Sequence, residues 1–416
     1  MLITLMKSYI IFTICVMSVY VFRHLIFSLS RFSGKQSTYF QDVVDSNLPV
    51  ISVLIPMHNE ERVARKILEM LSQTAYPLDK LEIIPINDHS ADGTAGILDE
   101  FAAKWKFIKP LHRNAGNRGK PAALNDAVAI SAGEIIVVFD ADYLPPKGIL
   151  RDIAVSFKDP EIGAVMGRVI PENAQKNLLT KLLALERSAG YQVDQQARQN
   201  MGLITQYGGT VGGFRKSVVV SLGGFSTDVL TEDTELTFRC MMNGWKVLYN
   251  NRIECYEEVP EDWDVRGRQV RRWSRGHNQV MFRYMIPFIR SRYLSLTAKI
   301  DGVLLLFIYM VPLVLLMGIV DAVALFFLNQ VQLFESVFLF LAISGFNLFG
   351  NFAPFYQIGV ASILDGFTHR IKLLPFILFN FLFNLITSAN GAVDAIIDLI
   401  TRREAIWAKT ARYRQS

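Results

Sequence analysis

The stretch EIIVVFDADYLPP, residues 134–146, sets five consecutive large apolar residues directly before two aspartates. A short apolar run rich in β-branched residues is typical of a strand buried on both faces. Asp140 and Asp142 follow where that strand ends, and two such carboxylates are costly unless cations neutralise them. A divalent ion with oxygen ligands, shared with substrate phosphates, would meet that need. A surface turn explains an isolated Asp-x-Asp as well, so both interpretations stay open.

Three stretches upstream repeat the plan of an apolar strand that ends in polar residues. They are VISVLIPMHNE (50–60), LEIIPINDHSADGT (81–94) and FIKPLHRN (107–114), and a helical segment follows each of them. Alternating strands and helices predict an α/β fold with a mostly parallel sheet covered on both faces. Ligands of such sheets bind outside the carboxyl ends of the strands. Asn59 and Asp88 fall at such ends, as do the two aspartates, so the sequence predicts a site there.

The hydrophobic residues, 51% of the 416, are unevenly distributed along the chain. Four apolar stretches are long enough to cross a bilayer, which takes about 20 residues: 9–29, 302–328, 333–362 and 373–400. For the first, a cleaved signal peptide is the alternative, but no clear cleavage site follows it. Basic residues flank the apolar stretches, which places these flanks in the cytoplasm. The sequence therefore predicts a multi-pass protein of the cell (inner or plasma) membrane.

Charge and cysteine content exclude other classes of protein. The net charge of +5 comes with no basic stripe interleaved with aromatic residues, so no nucleic-acid partner is expected. The three cysteines lack metal-ligand spacing and an even count, which indicates free thiols in a reducing compartment.

Two further motifs carry candidate chemistry. In VLTEDTELTFRCMMNGW (229–245), Thr231 or Glu232 suits the first turn of a helix, and Asp233 is the candidate general base. In GRQVRRWSRG (267–276), helical spacing puts an amide, one guanidinium and an indole on one face, which suits a diphosphate and a sugar ring: Gln269, Arg272 and Trp273. The remaining arginines point elsewhere, to lipid headgroups or acidic neighbours: Arg268, Arg271 and Arg275.

In chain order, these motifs resemble those of the membrane-embedded, processive glycosyltransferases of family 2, such as cellulose, chitin and hyaluronan synthases. The resemblance spans residues 50–280: P-x-x-N-E, N-D-x-S, DAD, TED and QVRRW, which fits Q-x-x-R-W. The layout is most similar to bacterial poly-β-1,6-N-acetylglucosamine synthases. The resemblance implies a nucleotide-sugar-binding domain of the GT-A type, flanked by transmembrane helices.

Roles for single residues come from this resemblance. It implies that the donor UDP-sugar is bound by Pro56, Asn59, Glu60, Asp88, Lys120, Asp140 and Arg272. It implies Asp142 and Asp140 as ligands of Mg²⁺ or Mn²⁺, Asp233 as the catalytic base, and Glu232, Gln269 and Trp273 as acceptor contacts. GGTVGGFRK (208–216) matches the family's acceptor loop only loosely, and its glycines fit tight turns equally well. IWAKTAR (406–412) resembles a gating segment with contacts from Trp407, Thr410 and Arg412, or is a basic tail flanking the membrane.

The implied reaction is a single displacement with one base, which inverts the donor's anomeric centre. The expected function is transfer of a sugar, N-acetylglucosamine by layout, to a growing β-linked polysaccharide that is exported through the membrane with a small partner subunit. Two alternatives stay open. One is a non-processive enzyme that glycosylates a membrane lipid, since some lipid glucosyltransferases share Q-x-x-R-W. The other is a transport or export scaffold with a catalytically dead nucleotide fold, against which the intact aspartates argue.

The predicted organisation has five parts. They are an N-terminal transmembrane helix (1–30), a cytosolic catalytic domain (31–280), an interfacial helix (281–300), a membrane region of three apolar segments (301–400) and a basic cytosolic tail (401–416). Three full crossings after a cytosolic domain would put that basic tail outside, against the positive-inside rule. Polar residues interrupt 373–400, so we expect this segment to be broken, re-entrant or channel-lining. A second amphipathic piece, 178–198, lies on the bilayer or packs on the sheet.

Overall fold

The computed structural model describes residues 1–33, 47–330, 333 and 352–402. Seven strands form one mixed sheet in the order β3-β2-β1-β4-β6-β5-β7. Their bounds are β1 Ile51–Met57, β2 Leu81–Asp88, β3 Leu111–Arg113, β4 Ile135–Val138, β5 Ile162–Pro171, β6 Gly212–Arg215 and β7 Lys246–Glu257.

The described helices divide into those around the sheet and those of the apolar region. Around the sheet are α2 Glu61–Ser72, α3 Thr94–Lys104, α4 Lys120–Ile130, α5 Ile149–Ser156, α6 Leu178–Ser188, α7 Gln196–Met201, α8 Lys216–Ser221, α9 Glu232–Met242 and α10 Trp263–Arg290. The apolar region holds α1 Leu2–Ser33, α11 Leu296–Phe307, α12 Val311–Phe327, α13 Ala353–Leu364 and α14 Leu374–Thr401.

The parallel half of the sheet forms as the apolar runs predict. β1 pairs in parallel with both β2 and β4, and β2 pairs in parallel with β3. All residues of β2 and β4 are buried, because helices cover both faces of the sheet. β3 is shorter than the predicted strand 107–114. The predicted α/β fold with a mostly parallel sheet is confirmed.

The strand β6 is inserted antiparallel to both of its neighbours, β4 and β5. A Cβ atom on Gly212 would strike the carbonyl oxygen of Val165, and one on Gly213 would strike that of Ile136. These two glycines of 208–216 are therefore required by close strand packing, which neither sequence interpretation anticipated. The tight-turn interpretation holds for Gly209, whose φ is +80°.

By length and apolar composition, two helices could cross a membrane: Leu2–Phe32 and Thr368–Thr401, the latter joining a short 3₁₀ segment to α14. A third candidate is the pair α11 and α12, which is bent by 66°. The expected break in 373–400 is thus wrong, because α14 runs unbroken, and the bend lies between α11 and α12, in the apolar segment 302–328. Most of the predicted segment 333–362 lies outside the described residues.

The structure describes all of residues 281–300, and they do not form the separate interfacial helix that was expected there. Residues up to Arg290 complete α10, the helix of the QVRRW motif, and α11 begins at Leu296. The piece 178–198 forms α6, a π-helical turn and the start of α7. Several of its apolar side chains, among them Leu182 and Val193, pack in one cluster with Phe27, Ile358 and Ile377. Because α6 also contacts β5, the piece lies between the sheet domain and the apolar helices.

The polar interruption of the first apolar stretch has a structural role. Arg23 on α1 is buried and pairs with Asp301 at 3.0 Å and with Asp194 at 3.2 Å. Arg198 pairs with the other oxygen of Asp301 at 2.9 Å. A buried charge needs such partners. These ion pairs fasten α1 to α11 and to the π-helical turn, which favours a retained helix over a cleaved signal peptide.

Candidate active site

The candidate site lies at the carboxyl ends of the strands β1, β2 and β4. This border of the sheet, which runs across the strand ends, is called the edge below. Because β6 runs antiparallel to β4, the loop that precedes β6 reaches the same edge. The backbone N–H of Asp140 donates to Oγ1 of Thr210 in this loop, over 3.2 Å. The edge thus brings together segments that are 70 residues apart in the chain.

The loops after β1 and β2 bind each other, which places the predicted donor-binding residues side by side. Asn59 accepts a hydrogen bond from the N–H of Ala91 over 2.8 Å, and the N–H of Glu60 donates to Oγ1 of Thr94 over 2.9 Å. Pro56 lies in β1, in register with Ile86 of β2. These contacts hold the ends of β1 and β2 together at the edge.

Asp88 stands at the end of β2 and is almost fully buried. Its carboxylate accepts from Arg113 and, over 2.8 Å, from the backbone N–H of Gly119. Gly119, with φ +115°, immediately precedes α4. Asp88 therefore fixes the start of α4, the helix whose first residue is Lys120. The sequence predicts a nucleotide contact for Asp88, and the structure adds this second role.

Lys120 is the central cation of the edge. Its Nζ lies 2.8 Å from Oδ1 of Asp140, 2.9 Å from the carbonyl oxygen of Gly209 and 3.7 Å from Oε1 of Glu232. Burial would lower the pKa of Lys120, but Asp140 and Glu232 raise it above its ordinary value. Lys120 therefore stays protonated and holds the carboxylates of Asp140, after β4, and of Glu232, on α9, close together.

Asp233 follows Glu232 in the first turn of α9. Its Oδ1 accepts from the backbone N–H of Thr234 over 2.8 Å. A Cβ atom on Gly209 would lie 3.0 Å from its Oδ2, so the loop packs directly on this carboxylate. Burial and the neighbouring Glu232 raise the pKa of Asp233 to about 7, against a smaller lowering by Lys120. A base with this pKa can accept a proton near neutral pH.

The two aspartates that follow β4, Asp140 and Asp142, are the candidate metal ligands. Asp142 is buried, while the side chain of Asp140 is 32% exposed. Within the described ranges, no group of three or more His, Cys, Asp or Glu side chains could hold a metal by itself. Mg²⁺ is commonly bound by one or two carboxylates that substrate phosphates complete. The donor set of Asp140 and Asp142 fits a divalent ion that arrives with a diphosphate.

The QVRRW motif lies on α10 as the helical spacing predicts. Oε1 of Gln269 accepts from Arg266 over 3.0 Å. The ring of Trp273 lies 5.3 Å from the guanidinium carbon of Arg187 and 5.4 Å from that of Arg266. The predicted stacking of Trp273 on an acceptor sugar would thus take place beside two guanidinium groups.

The other arginines of the motif have acidic partners on α14. Arg271 pairs with Asp394 at 2.5 Å, and Arg275 pairs with Asp398 at 2.6 Å. Of the two interpretations left open for these arginines, acidic neighbours are therefore the observed one, and Arg268 remains exposed. The proposed gating residues Trp407, Thr410 and Arg412 lie outside the described residues.

Sequence reasoning missed a second buried network beside the edge. Arg187 on α6 donates to Glu257 at the end of β7 over 2.6 Å, and Tyr143 donates to the other oxygen of Glu257 over 3.0 Å. Tyr143 directly follows the second aspartate, so this network supports the end of β4. Its members are separated by as many as 114 residues, and no local pattern marks them.

Comparisons with known proteins agree with this geometry. Residues 49–276 match the family described as "Glycosyltransferase like family 2". The chain is 38% identical over 249 residues to the probable glycosyltransferase YdaM of Bacillus subtilis (strain 168), covering 59% of each chain. It is 32% identical over 261 residues to the beta-monoglucosyldiacylglycerol synthase of Nostoc sp. (strain PCC 7120), covering 61% of this chain and 54% of that one. The chain thus spans only part of the length of these relatives.

A solved structure shows the same fold. The mannosyltransferase PcManGT from Pyrobaculum calidifontis, in complex with GDP-Man and Mn²⁺, superposes with a TM-score of 0.61 at 18% identity. The match covers 93% of this chain and 99% of that one.

Proposed function

Because this chain belongs to glycosyltransferase family 2, we propose that it transfers a sugar from a nucleoside diphosphate sugar to a lipid acceptor at a membrane. The observation that carries the proposal is the cluster of Lys120, Asp140, Glu232 and Asp233 at one edge of the sheet. The lipid acceptor is supported by the similarity to beta-monoglucosyldiacylglycerol synthases, one of them 32% identical. This support favours a non-processive enzyme that glycosylates a membrane lipid over a polysaccharide synthase. The transfer of N-acetylglucosamine to a polysaccharide stays an untested prediction.

The cluster has the parts that an inverting displacement requires. Asp233 would take the proton of the acceptor hydroxyl while that oxygen attacks the anomeric carbon of the donor. Lys120 and Arg272 would stabilise the negative charge on the departing diphosphate. A Mg²⁺ or Mn²⁺ ion, held by Asp140 and Asp142, would neutralise further charge on the same group. Because one base is enough, no carboxylate nucleophile is required.

A test of acceptor class uses purified full-length protein in mixed micelles with Mn²⁺. UDP-glucose, UDP-N-acetylglucosamine and GDP-mannose are offered in turn, with either dioleoylglycerol or monoglucosyl-dioleoylglycerol as acceptor. We expect nucleoside diphosphate release that depends on lipid, and a lipid product heavier by one sugar in mass spectrometry. Formation of a long polymer without lipid would overturn the proposal, and the Asp233→Asn variant serves as the inactive control.

We further propose that α14 lies along the membrane surface instead of crossing the bilayer. Most of its polar side chains face α6 and α10, and apart from Asn390 and Thr401 its exposed side chains are apolar, among them Phe379, Leu382, Ile386, Val393, Ile397 and Ile400. α10 runs beside it over several turns and carries many charges, which a bilayer interior would not tolerate. Polar side chains on the protein side and apolar side chains on the exposed side are the arrangement of an interfacial helix, whose apolar stripe lies in the lipid.

This placement keeps the C-terminal tail on the side of the catalytic domain, which satisfies the positive-inside rule. We expect a reporter that is active only in the cytoplasm to work when fused after Ser416 or between Lys35 and Gln36. The matched fusion before Met1 reports the opposite side if α1 crosses the membrane. A tail reporter that works only outside would contradict the interfacial placement.

A further inference from the structure

A polar cluster separates the catalytic domain from α14. Glu186 on α6 accepts a hydrogen bond from Arg266 of α10 over 2.5 Å. Its Oε2 also accepts from Nδ2 of Asn380 over 2.9 Å and from Nδ2 of Asn384 over 3.2 Å. Although three helices surround Glu186, its side chain is 30% accessible. There is therefore open space beside this carboxylate.

The two asparagines have a forced orientation. An ionised carboxylate only accepts hydrogen bonds, so both amides must turn their NH₂ groups toward Glu186. Burial would raise the pKa of Glu186, but Arg266 and Asn380 hold it below its ordinary value, which keeps it ionised. The oxygens of both amides consequently point away from Glu186. Asn380 is fully buried, and neither oxygen has a hydrogen-bond partner among the residues that the structure describes. Both oxygens are also shielded from solvent, so a ligand that enters beside the accessible Glu186 reaches them only after the amide side chains shift.

An unused donor accompanies these unused acceptors. Nε of Arg266 is buried and, in the described part of the chain, likewise lacks a partner. Buried polar atoms in folded proteins are rarely left without partners, so a ligand or water is expected to supply them. A hydroxyl group donates one hydrogen bond and accepts others, so a group with several hydroxyls carries both the donors that the amide oxygens need and the acceptor that the guanidinium needs.

The charges of the cluster disfavour a phosphate. Arg266 is already paired with Glu186, and the nearby Arg187 is paired with Glu257 at 2.6 Å. A phosphate group would have to displace one of these carboxylates, and at neutral pH it offers no donor for the two amide oxygens. A neutral group with several hydroxyls leaves both ion pairs intact. Charge and hydrogen bonding therefore favour a sugar or polyol over an anionic headgroup.

The cluster lies between the candidate lipid surface and the catalytic helix. The apolar side chains Leu378 and Phe379 on the outer face of α14 are exposed, next in sequence to the buried Asn380. On the opposite side, Arg266 lies against the ring of Trp273 in the QVRRW motif. A lipid could thus keep its acyl chains outside α14 and extend its headgroup past the asparagines toward α10.

We propose that Glu186, Arg266, Asn380 and Asn384 form a subsite for a phosphate-free, multiply hydroxylated lipid headgroup, such as a glycosylated diacylglycerol. The inference rests on the proposed lipid-glycosylating function and adds the class of acceptor. The hydroxyls bound here are those that do not react, since the reacting hydroxyl must reach Asp233.

The test compares acceptors that differ in hydroxyl number or in charge. Monoglucosyl-dioleoylglycerol, dioleoylglycerol and undecaprenyl phosphate are offered to the full-length protein at equal mole fraction. We expect the KM for the glucosylated lipid to be about tenfold below that for dioleoylglycerol, equivalent to about 1.4 kcal/mol, and the phosphate lipid to be the poorest acceptor. In the Asn380→Ala and Asn384→Ala variants, this tenfold preference should disappear while the KM for the donor stays constant.

Asn390→Ala is the matched control, because Asn390 is exposed on the same helix and its variant should keep the preference. Asn384 is only half-buried, so its variant tests the subsite even if Asn380→Ala fails to fold. If both lipids have equal KM in the wild type, or if the preference survives in Asn384→Ala, the subsite is refuted. Preferred use of undecaprenyl phosphate also refutes it. If no lipid accepts sugar at all, it is the proposed function that fails.

Discussion

Replacing Asp233 with Asn should lower kcat/KM for sugar transfer by about 10²- to 10⁴-fold, the usual contribution of a general base. The amide keeps the shape of the carboxylate and its hydrogen bond from Thr234, but it cannot take the acceptor's proton. The measurement is the initial rate of lipid glycosylation at saturating donor. If Asp233→Asn kept more than a tenth of the activity, the base would have to be another group, with the adjacent Glu232 as the first candidate.

The pH dependence of the wild-type protein gives an independent check on the same carboxyl group. Because the pKa of Asp233 is raised to about 7, kcat/KM should fall below pH 7 as the carboxylate becomes protonated and rise to a plateau above it. The raised pKa also means that ionised Asp233 opposes folding, increasingly as pH rises from its ordinary pKa toward 7. The Asn variant should therefore melt no lower than the wild type at pH 8, which separates lost chemistry from lost fold.

Replacing Lys120 with Met should lower kcat/KM by about 10²-fold and also move the pH profile. The loss follows from the proposed role of Lys120 in stabilising the leaving diphosphate, a contribution comparable to that of one oxyanion-hole donor. The shift follows because Lys120 lowers the pKa of Asp233. Without this cation the pKa rises further, so the acid limb of the profile should move to higher pH.

Lys120→Arg is the conservative control for this prediction. It retains the charge beside Asp140 and Glu232, so the acid limb should stay near its wild-type position even if the rate drops. A purely structural role for Lys120 would instead lower the melting temperature of both variants and leave the limb in place. Profiles of kcat/KM from pH 5.5 to 9, recorded with melting curves, distinguish these outcomes.

The sequence contains enough information for the parallel half of the sheet and for the composition of the site. β1, β2 and β4 are short apolar runs that end in polar residues, so both the strands and their common edge follow from local pattern. The strands β5, β6 and β7 were not predicted. β6 carries two glycines because its neighbours approach closely, and glycine in a single sequence indicates a turn as readily as a strand. The contact between Gly209 and Asp233 depends on the insertion of β6 between β4 and β5, so it could not be predicted from the sequence.

The helical wheel of the QVRRW motif put Arg271 and Arg275 on a different face from Gln269 and Trp273, but it could not name their partners. Asp394 and Asp398 lie in an apolar run some 120 residues later in the chain. Read locally, carboxylates and amides in such a run indicate a broken or channel-lining helix. In the structure most of them face other protein segments, namely Asn380, Asn384, Asp394 and Asp398, and the helix remains continuous. The misprediction arose because periodicity shows that a face is polar without showing what covers it.

The exposed apolar stripe of α14 has a consequence for kinetics. An enzyme held flat on a bilayer meets its acceptor by diffusion within a two-dimensional film, while the nucleotide-sugar arrives from the third dimension. The acceptor's effective concentration is then its share of the surrounding lipids rather than its amount per volume. Diluting the acceptor with inert phospholipid would slow the reaction even when the amount of acceptor per volume stays constant. The lipid composition of the membrane would then determine the rate of synthesis.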